Sequence, residues 1–202
     1  LNLIIEKNII YASDNIGYLY AYNYNEKKVL WAKNYKTPFR SNLKILGNKL
    51  VASNEKNELF FFNKKNGDIF KKIPSEETPI NNNFINNLSL NYPKIVYFLN
   101  SYGSLYSINI DQLNINWFLN LRSSIDLSPN NLFLGNEIVN SQNKIIVSST
   151  NKTYIINAKN GLIENKFNFS SLIRPIINKN YAFFISKNNF FIAIDLKNNE
   201  IL

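Results

Sequence analysis

Short runs of β-branched and aromatic residues alternate with polar turns along the whole chain. In residues 18–23, tyrosines at every second position alternate with Leu19, Ala21 and Asn23, as the two faces of a pleated strand require. The runs are about five to seven residues long and are bounded by Asn, Gly, Lys or Asp. No segment has a long apolar stripe at helical period with capping residues. The pattern predicts an all-β protein.

The strands recur as a unit of fixed internal order. Each unit has a short apolar stretch, which supplies a first strand, followed by three longer strands. The middle one of these three ends in Asn or Asp and is followed by a turn, so four strands per unit are expected. The residues that end the middle strand, called marker residues below, are Asn23, Asn63, Asn109, Asn157 and Asp195, at intervals of 40, 46, 48 and 38 residues. Repeats of about 40–50 residues with four strands are typical of propeller blades. We predict a β-propeller of four-stranded antiparallel blades, with about five blades at about 1–35, 40–73, 87–121, 137–169 and 173–202 of a partial propeller spanning 1–202.

Two kinds of residue recur at fixed distances from the marker. Trp31 and Trp117 each follow their marker by eight positions, and Phe70 falls one position short of the same place. We expect these aromatics to pack one blade on the next, because a large aromatic side chain is ordinarily buried between sheets. Gly67 and Gly161 follow their markers by four positions, where a tight hairpin turn requires positive φ.

Composition narrows the possible functions. The formal charge is +9, but only three of the 23 basic residues are Arg, and Lys is spread along the chain rather than clustered, so nucleic-acid binding is not predicted. The absence of Cys and His removes disulfides, thiolate metal sites and the commonest general base from this segment. No apolar run reaches the roughly 18 residues of a membrane-spanning helix. Because the chain begins at Leu1 inside a strand-like run, we expect it to be a piece of a longer protein.

The carboxylates are the remaining candidates for chemistry. They lie next to predicted turns, where capping or solvated roles are usual. We therefore predict no catalytic residue, no cofactor-binding residue and no metal site, and hence no enzymatic activity. The carboxylates considered are Asp14, Glu76, Glu77, Asp111, Asp126 and Asp195.

The repeat resembles a known family. Residues 17–23, followed by Val29, Leu30 and Trp31, are similar to the PQQ-like (quinoprotein-type) propeller repeat, whose pattern is roughly G-x-L-Y-A-L-D-x-x-x-G-x-x-x-W. A narrower resemblance is to the BamB-type lipoproteins of outer-membrane β-barrel assembly. It rests on the stretches 37–43, 48–53, 57–59, 93–108 and 138–161.

This resemblance implies a fold and a function. Family members have eight blades and are lipid-anchored on the periplasmic face of the outer membrane. The five units would then be part of a larger, seven- or eight-bladed ring, with a signal peptide and lipid anchor outside this segment. The implied function is a non-enzymatic protein-binding scaffold in outer-membrane β-barrel protein assembly. Two alternatives stay open: a fragment of a PQQ-dependent dehydrogenase, which usually adds a vicinal disulfide and a calcium-binding carboxylate cluster, and a luminal or periplasmic sensor domain.

The loops between blades are the candidate binding elements, because loops on a rigid scaffold commonly carry binding. Phe39 and Arg40, in the loop that enters the second blade, place an aromatic beside an Arg, a composition typical of interface hot spots. By resemblance, this pair takes the place of a Leu-Arg pair that contacts the assembly partner, a periplasmic domain of an outer-membrane barrel assembly protein. The alternative is that Phe39 packs under a blade and Arg40 pairs with a local carboxylate. Arg122 and Arg174, and the longer loops at about 74–87 and 122–137, are further candidates.

Overall fold

The computed structural model describes residues 2–73, 87–91, 93–100, 102–121, 137–141, 143–149, 151–171 and 173–202. Every helix or strand assigned among these residues is a β-strand, which confirms the all-β prediction. The strands in chain order are β1 (Asn2–Glu6), β2 (Ile9–Ser13), β3 (Tyr18–Asn23), β4 (Lys28–Asn34), β5 (Lys44–Leu46), β6 (Lys49–Ser53), β7 (Leu59–Asn63), β8 (Ile69–Ile73), β9 (Asn87–Asn91), β10 (Ile95–Leu99), β11 (Ser104–Asn109), β12 (Asn114–Asn120), β13 (Val139–Ser141), β14 (Lys144–Ser148), β15 (Thr153–Asn157), β16 (Ile163–Phe167), β17 (Ile176–Asn178), β18 (Tyr181–Ile185), β19 (Phe191–Asp195) and β20 (Glu200–Ile201).

The strands form five four-stranded sheets, and within each sheet the strands pair in the order of the chain. Blade 1 is β1–β4, blade 2 is β5–β8, blade 3 is β9–β12, blade 4 is β13–β16 and blade 5 is β17–β20. The neighbouring strands pair antiparallel, as in β1 with β2 and β2 with β3. These sheets confirm the prediction of four-stranded antiparallel blades. The chain divides into two compact units, residues 1–94 and 95–202.

The marker residue at the end of each third strand caps the turn that follows. In blade 1 the Asn23 Oδ1 atom accepts hydrogen bonds from the backbone N–H groups of Asn25 and Glu26 at 3.1 and 3.2 Å. A side-chain oxygen that bonds the backbone two residues on stabilises such a turn. Position four after each marker is in the left-handed region, which confirms the turn role predicted for the two glycines. The φ angles at these positions are Lys27 51°, Gly67 76°, Leu113 53°, Gly161 75° and Asn199 58°.

The two tryptophans dock on the turn of the following blade. The Trp31 Nε1–H group of blade 1 donates to the carbonyl of Lys64 in blade 2 at 3.1 Å. The Trp117 Nε1–H group of blade 3 donates to the carbonyl of Ala158 in blade 4, also at 3.1 Å. A Cβ atom at Gly67 would lie 2.9 Å from the ring of Trp31. The predicted role of both tryptophans in packing one blade on the next is therefore confirmed.

Phe70 does not share this role, and here the prediction was wrong. The pairing of β7 with β8 shifts between Phe61 and Phe62, so Phe70 falls in a β-bulge. Leu30 takes the same bulge position in blade 1, where the pairing shifts between Ala21 and Tyr22. A bulged residue leaves the ladder, and Phe70 is accordingly 46% exposed, with the Lys49 ammonium 5.6 Å from its ring centroid.

The core lies between successive sheets inside each unit. In the unit of residues 1–94, one cluster joins blade 1 to blade 2 through Tyr11, Leu19 and Ala21 on one side and Leu50 and Phe62 on the other. In the unit of residues 95–202, one cluster joins blade 3 to blade 4, and another joins blade 4 to blade 5. Within each unit, neighbouring sheets therefore share an apolar core, as expected where two sheets pack face to face.

Candidate partner-binding loop

The loop of residues 35–43, between β4 and β5, is bonded along its length to the turn between β6 and β7. Phe39 forms an isolated antiparallel bridge with Asn54. The backbone N–H of Arg40 donates to the carbonyl of Ser53 at 2.9 Å, and the N–H of Glu55 donates to the carbonyl of Pro38 at 2.9 Å. Backbone bonds on both sides of Phe39 fix the path of the loop, so its side chains are presented in a defined geometry.

Phe39 points into the core between blade 1 and blade 2. Its side chain is 3% exposed and belongs to the cluster that joins the two blades. Its ring lies 5.8 Å from Tyr35, 6.1 Å from Phe60 and 5.9 Å from Phe62, edge-on to each. The structure therefore places Phe39 in the core, which is the packing alternative given above. A partner-binding role for the loop stays a prediction.

Arg40 lies at the edge of the same loop and is partly exposed. Its Nη2 atom is 3.5 Å from Glu55 Oε2, with side chains 25% and 15% exposed. This is the local carboxylate partner that the packing alternative expects. The Arg40 Nε atom is buried and has no hydrogen-bond partner among the described residues. Because a guanidinium has five N–H donors, one long contact leaves Arg40 able to bond a carbonyl or carboxylate of another molecule.

Tyr35 holds the start of the loop against blade 2. Its hydroxyl donates to the carbonyl of Gly67, and its backbone N–H donates to the carbonyl of Gly17 at 2.8 Å. Burial and, second, the negative charge of Asp68 raise the pKa of the Tyr35 hydroxyl to about 12. Tyr35 is therefore neutral at physiological pH and acts as a hydrogen-bond donor.

Gly17 has no room for a side chain beneath this loop. Its φ angle is +98°, and an added Cβ atom would lie 2.7 Å from the backbone N of Thr37. Glycine is the residue that tolerates both conditions. The initial Gly of the repeat pattern is thus explained by the loop that crosses it. Asn57, with φ 59°, occupies the corresponding position of blade 2, and Asn is the side chain that best tolerates this region.

Asp14 caps a turn rather than facing a pocket. Its Oδ1 atom accepts from the backbone N–H groups of Ile16 at 3.0 Å and Tyr18 at 2.8 Å, and its Oδ2 atom accepts from the Tyr20 hydroxyl at 3.0 Å. Desolvation opposes ionisation here, but these hydrogen bonds outweigh it and lower the pKa of the Asp14 carboxyl. Asn54 makes the same two backbone contacts in blade 2.

The other sequence candidates are dispersed. Arg174 lies just before β17, and its Nη1 atom is 3.4 Å from Glu137 Oε2, with both side chains more than half exposed. Asp195 accepts a hydrogen bond from the backbone N–H of Lys197 at 2.8 Å, which is a turn contact. Arg122, Glu76, Glu77 and Asp126, with most of the loops at 74–87 and 122–137, lie outside the described residues.

Sequence reasoning missed a second loop of the same design. Before blade 5, Ser171 forms an isolated antiparallel bridge with Ser186, and the backbone N–H of Lys187 donates to the carbonyl of Ser170 at 2.9 Å. These are the bonds that Phe39 and Pro38 make before blade 2. The signal available in sequence was the polar residue after the second strand, Asn54 in one blade and Ser186 in the other.

Among the described residues, no helix is long and apolar enough to cross a membrane. The same residues contain no group of three or more acidic, His or Cys side chains that could hold a metal ion.

Four-stranded meander sheets that repeat along the chain are the blades of a β-propeller protein. Residues 4–202 match the family described as outer membrane protein assembly factor BamB, and the chain belongs to that family. None of the curated proteins compared matches the sequence.

Solved structures agree on the fold. The crystal structure of BamB from Moraxella catarrhalis is similar with a TM-score of 0.74 at 10% identity, covering 100% of this chain and 59% of that one. The computationally designed Ika8 protein is similar with a TM-score of 0.78 at 12% identity and 59% coverage of its chain. The Neurospora crassa Pan2 WD40 domain gives a TM-score of 0.65 at 8% identity and 64% coverage of its chain. This chain therefore spans less than two thirds of the length of each of these three proteins.

Proposed function

We propose that this chain is part of a non-enzymatic protein-binding scaffold that assists outer-membrane β-barrel protein assembly, in the periplasm and associated with the outer membrane. The observation that carries the proposal is the family match over residues 4–202. A loop whose path is fixed by backbone bonds suits docking, because binding then orders few side chains. The proposed partner is a periplasmic domain of an outer-membrane barrel assembly protein.

The contacts of the acidic side chains support a scaffold rather than an enzyme. Glu6 pairs with Lys64, Glu58 with Lys72 and Glu164 with Lys144, each at 2.5 Å, and Asp68 pairs with Lys33. Two of these pairs, Glu6 with Lys64 and Asp68 with Lys33, link blade 1 to blade 2. Carboxylates with these partners hold turns and neighbouring sheets together, which is a structural role.

The loop of residues 35–43 is the proposed docking element. Arg40 supplies the donor groups, and Phe39, buried beneath it, acts as a positioning residue that fixes the loop. Arg174, exposed before blade 5, and Arg122 are proposed as secondary contacts. An Arg that bonds a carboxylate or a strand edge through two N–H groups gives both affinity and orientation.

The test is isothermal titration calorimetry of this chain against the purified periplasmic domain of the barrel assembly protein. Arg40→Ala is expected to weaken binding roughly tenfold or more, since central Arg contacts contribute about 1.4 kcal/mol or more. Lys159→Ala is the charge-matched control, because Lys159 is exposed on a turn of blade 4, and it should leave the affinity unchanged.

Two results would count against the proposal. If the wild-type chain does not bind the domain, the proposed partner is wrong. If Arg40→Ala and Lys159→Ala bind equally well to the wild type, the docking surface lies away from the loop of residues 35–43.

A further inference from the structure

In blade 2 a lysine lies over an aromatic ring and pairs with a carboxylate. Lys72 on β8 is opposite Phe60 on β7 in the cross-strand register, and its ammonium is 5.7 Å from the centroid of that ring. The Lys72 Nζ atom is 2.5 Å from Glu58 Oε1, and Glu58 directly precedes β7. The carboxylate therefore balances the charge of an ammonium that lies against the sheet.

Blade 4 repeats this arrangement but has a second ammonium where blade 2 has the carboxylate. Lys166 on β16 is opposite Tyr154 on β15 in the same register, and its ammonium is 5.8 Å from the ring centroid. The residue five positions before the marker is Glu58 in blade 2 and Lys152 in blade 4, and both are partly exposed. The two blades thus differ at this place by a reversal of charge.

Lys152 and Lys166, called the lysine pair below, lie close together. The Lys152 amino group lowers the pKa of the Lys166 ammonium, first through a hydrogen bond between the two side chains and then through like-charge repulsion. Lys166 is exposed and Lys152 partly exposed, so both are accessible to another molecule. An anion bound between two like charges favours the charged form of each.

The elements around the lysine pair supply no carboxylate to it within the described part of the chain. Tyr154 belongs to the apolar cluster that blade 4 shares with blade 3, and the strands of blade 3 contain neither Asp nor Glu. In the strands of blade 4 the acidic residue is Glu164, which pairs with Lys144. Glu137, just before β13, pairs with Arg174.

We propose that the lysine pair of blade 4 binds the carboxylate of an acidic side chain on another protein. Glu58 in blade 2 shows that a carboxylate fits beside an ammonium that lies over this ring. The second ammonium gives the bound carboxylate two charged donors instead of one, and charge-assisted hydrogen bonds are the stronger ones. The site uses no residue of the loop of residues 35–43, and it does not depend on the proposed function.

The experiment uses NMR of the chain labelled with ¹³C at the lysine ε-carbons, titrated at low ionic strength with a peptide that contains two adjacent Glu residues. The same peptide with Gln in place of Glu is the ligand control. Lys152→Glu restores the charge arrangement of blade 2, because the new carboxylate can pair with Lys166. Lys159→Glu is the matched control, since it makes the same change of charge on an exposed turn of blade 4. It separates binding at the lysine pair from the general attraction of an acidic peptide to a chain of net charge +9.

The expected result is binding of the Glu peptide, and not of the Gln peptide, with the largest shifts at the signals of the lysine pair. Lys159→Glu should bind within about twofold of the wild type, whereas Lys152→Glu should bind at least about tenfold more weakly, because like charges at a contact are repelled. Lys152→Glu should also raise the pKa of Lys166, which shows that the new ion pair has formed. Far-ultraviolet circular dichroism checks that each variant is folded. Conversely, Glu58→Lys gives blade 2 a lysine pair and should add a second site for the peptide.

Three results would overturn the proposal. The first is a wild type that does not bind the Glu peptide. The second is an equal loss of affinity in Lys152→Glu and Lys159→Glu, because net charge alone would then explain binding. The third is binding to phosphatidylglycerol vesicles, lost in Lys152→Glu, with no binding of the peptide, which would assign the lysine pair to the phosphate groups of a lipid surface.

Discussion

The contact between Trp31 and Gly67 allows the docking of one blade on the next to be measured by substitution. Gly67 has φ +76°, and a Cβ atom there would lie 2.9 Å from two ring carbons of Trp31. Gly67→Ala therefore adds two separate penalties, a left-handed backbone for a residue with a Cβ atom and a steric clash with the indole. Gly47 has φ +60° with nothing within 4 Å of its Cβ position. Gly47→Ala thus carries the backbone penalty alone.

The magnitudes follow from these geometries. The left-handed backbone costs an L-residue about 1–2 kcal/mol, partly offset by the stiffer unfolded chain, so Gly47→Ala should destabilise by about 1 kcal/mol. Overpacking adds about 1–3 kcal/mol, and Gly67→Ala should therefore destabilise by about 2–4 kcal/mol. Trp31→Ala, which removes a half-buried indole, should destabilise by about 3 kcal/mol.

The test is a double-mutant cycle. Urea unfolding followed by far-ultraviolet circular dichroism would be measured for the wild type, the three single variants and the double variant. With Trp31→Ala already present the clash is gone, so Gly67→Ala should then cost no more than Gly47→Ala, giving a coupling of about 1–3 kcal/mol. Additive effects of Trp31→Ala and Gly67→Ala would refute the reasoning, because the two residues would then not be in strained contact.

Three further results are expected. Phe39→Ala should lower the free energy of unfolding by about 3–5 kcal/mol in urea melts, because its ring is buried among three others; a loss below about 1 kcal/mol would contradict the core position. The hydrogen bond from Lys144, supported by those from the amides of Asn157 and Asn199, outweighs the opposing effect of desolvation and lowers the pKa of the Glu164 carboxyl. The stabilisation that the ionised carboxyl provides is therefore present above about pH 4 and is lost as the pH falls through the folded pKa. Glu164→Gln should thus be less stable than the wild type at pH 7 and lose that difference in acid, whereas a gap independent of pH would argue against the ion pair. Burial and the charge of Asp68 raise the pKa of Tyr35 to about 12. The stabilisation by the neutral hydroxyl is therefore present below the unfolded pKa of about 10 and fades as the pH rises between the two values. The difference in unfolding free energy between wild type and Tyr35→Phe should narrow over that range, and a constant difference would contradict the raised pKa.

The blades were predictable from sequence because their information is local. Each sheet is a meander, so every strand pairs with the strand next to it in the chain, and a repeat visible in sequence corresponds directly to a repeat of hairpins. The hydrogen bonds of the marker residue and the positive φ four positions later also lie within a single turn. Local periodicity and turn chemistry are the features that sequence reasoning handles best.

The candidate loop was harder to predict because the orientation of its side chains depends on contacts with residues distant in sequence. Phe39 and Arg40 are neighbours in sequence, yet one is buried and the other reaches the surface. The rings of Phe60 and Phe62, stacked at 5.6 Å, form the wall that Phe39 meets, and nothing in the loop itself encodes that wall. The prediction for Phe70 was wrong because Phe70 is itself the bulged residue of its strand, and it is therefore equivalent to Leu30 and not to Trp31.

The contacts between blades also explain which repeat positions depart from the family pattern. In blade 4 the place of the docking tryptophan is taken by Asn165, whose side-chain amide donates to the carbonyl of Asn199 in blade 5 at 2.6 Å. Asn199 stands where Gly161 stands in the turn of blade 4, and its side chain accepts from Lys144 at 2.7 Å. Where the tryptophan is lost, the glycine beneath it is lost as well, and a polar bond joins the same two places. The many asparagines of this chain are therefore not all a mere consequence of its composition. Asn165 takes the place of an aromatic side chain and joins neighbouring blades through a hydrogen bond.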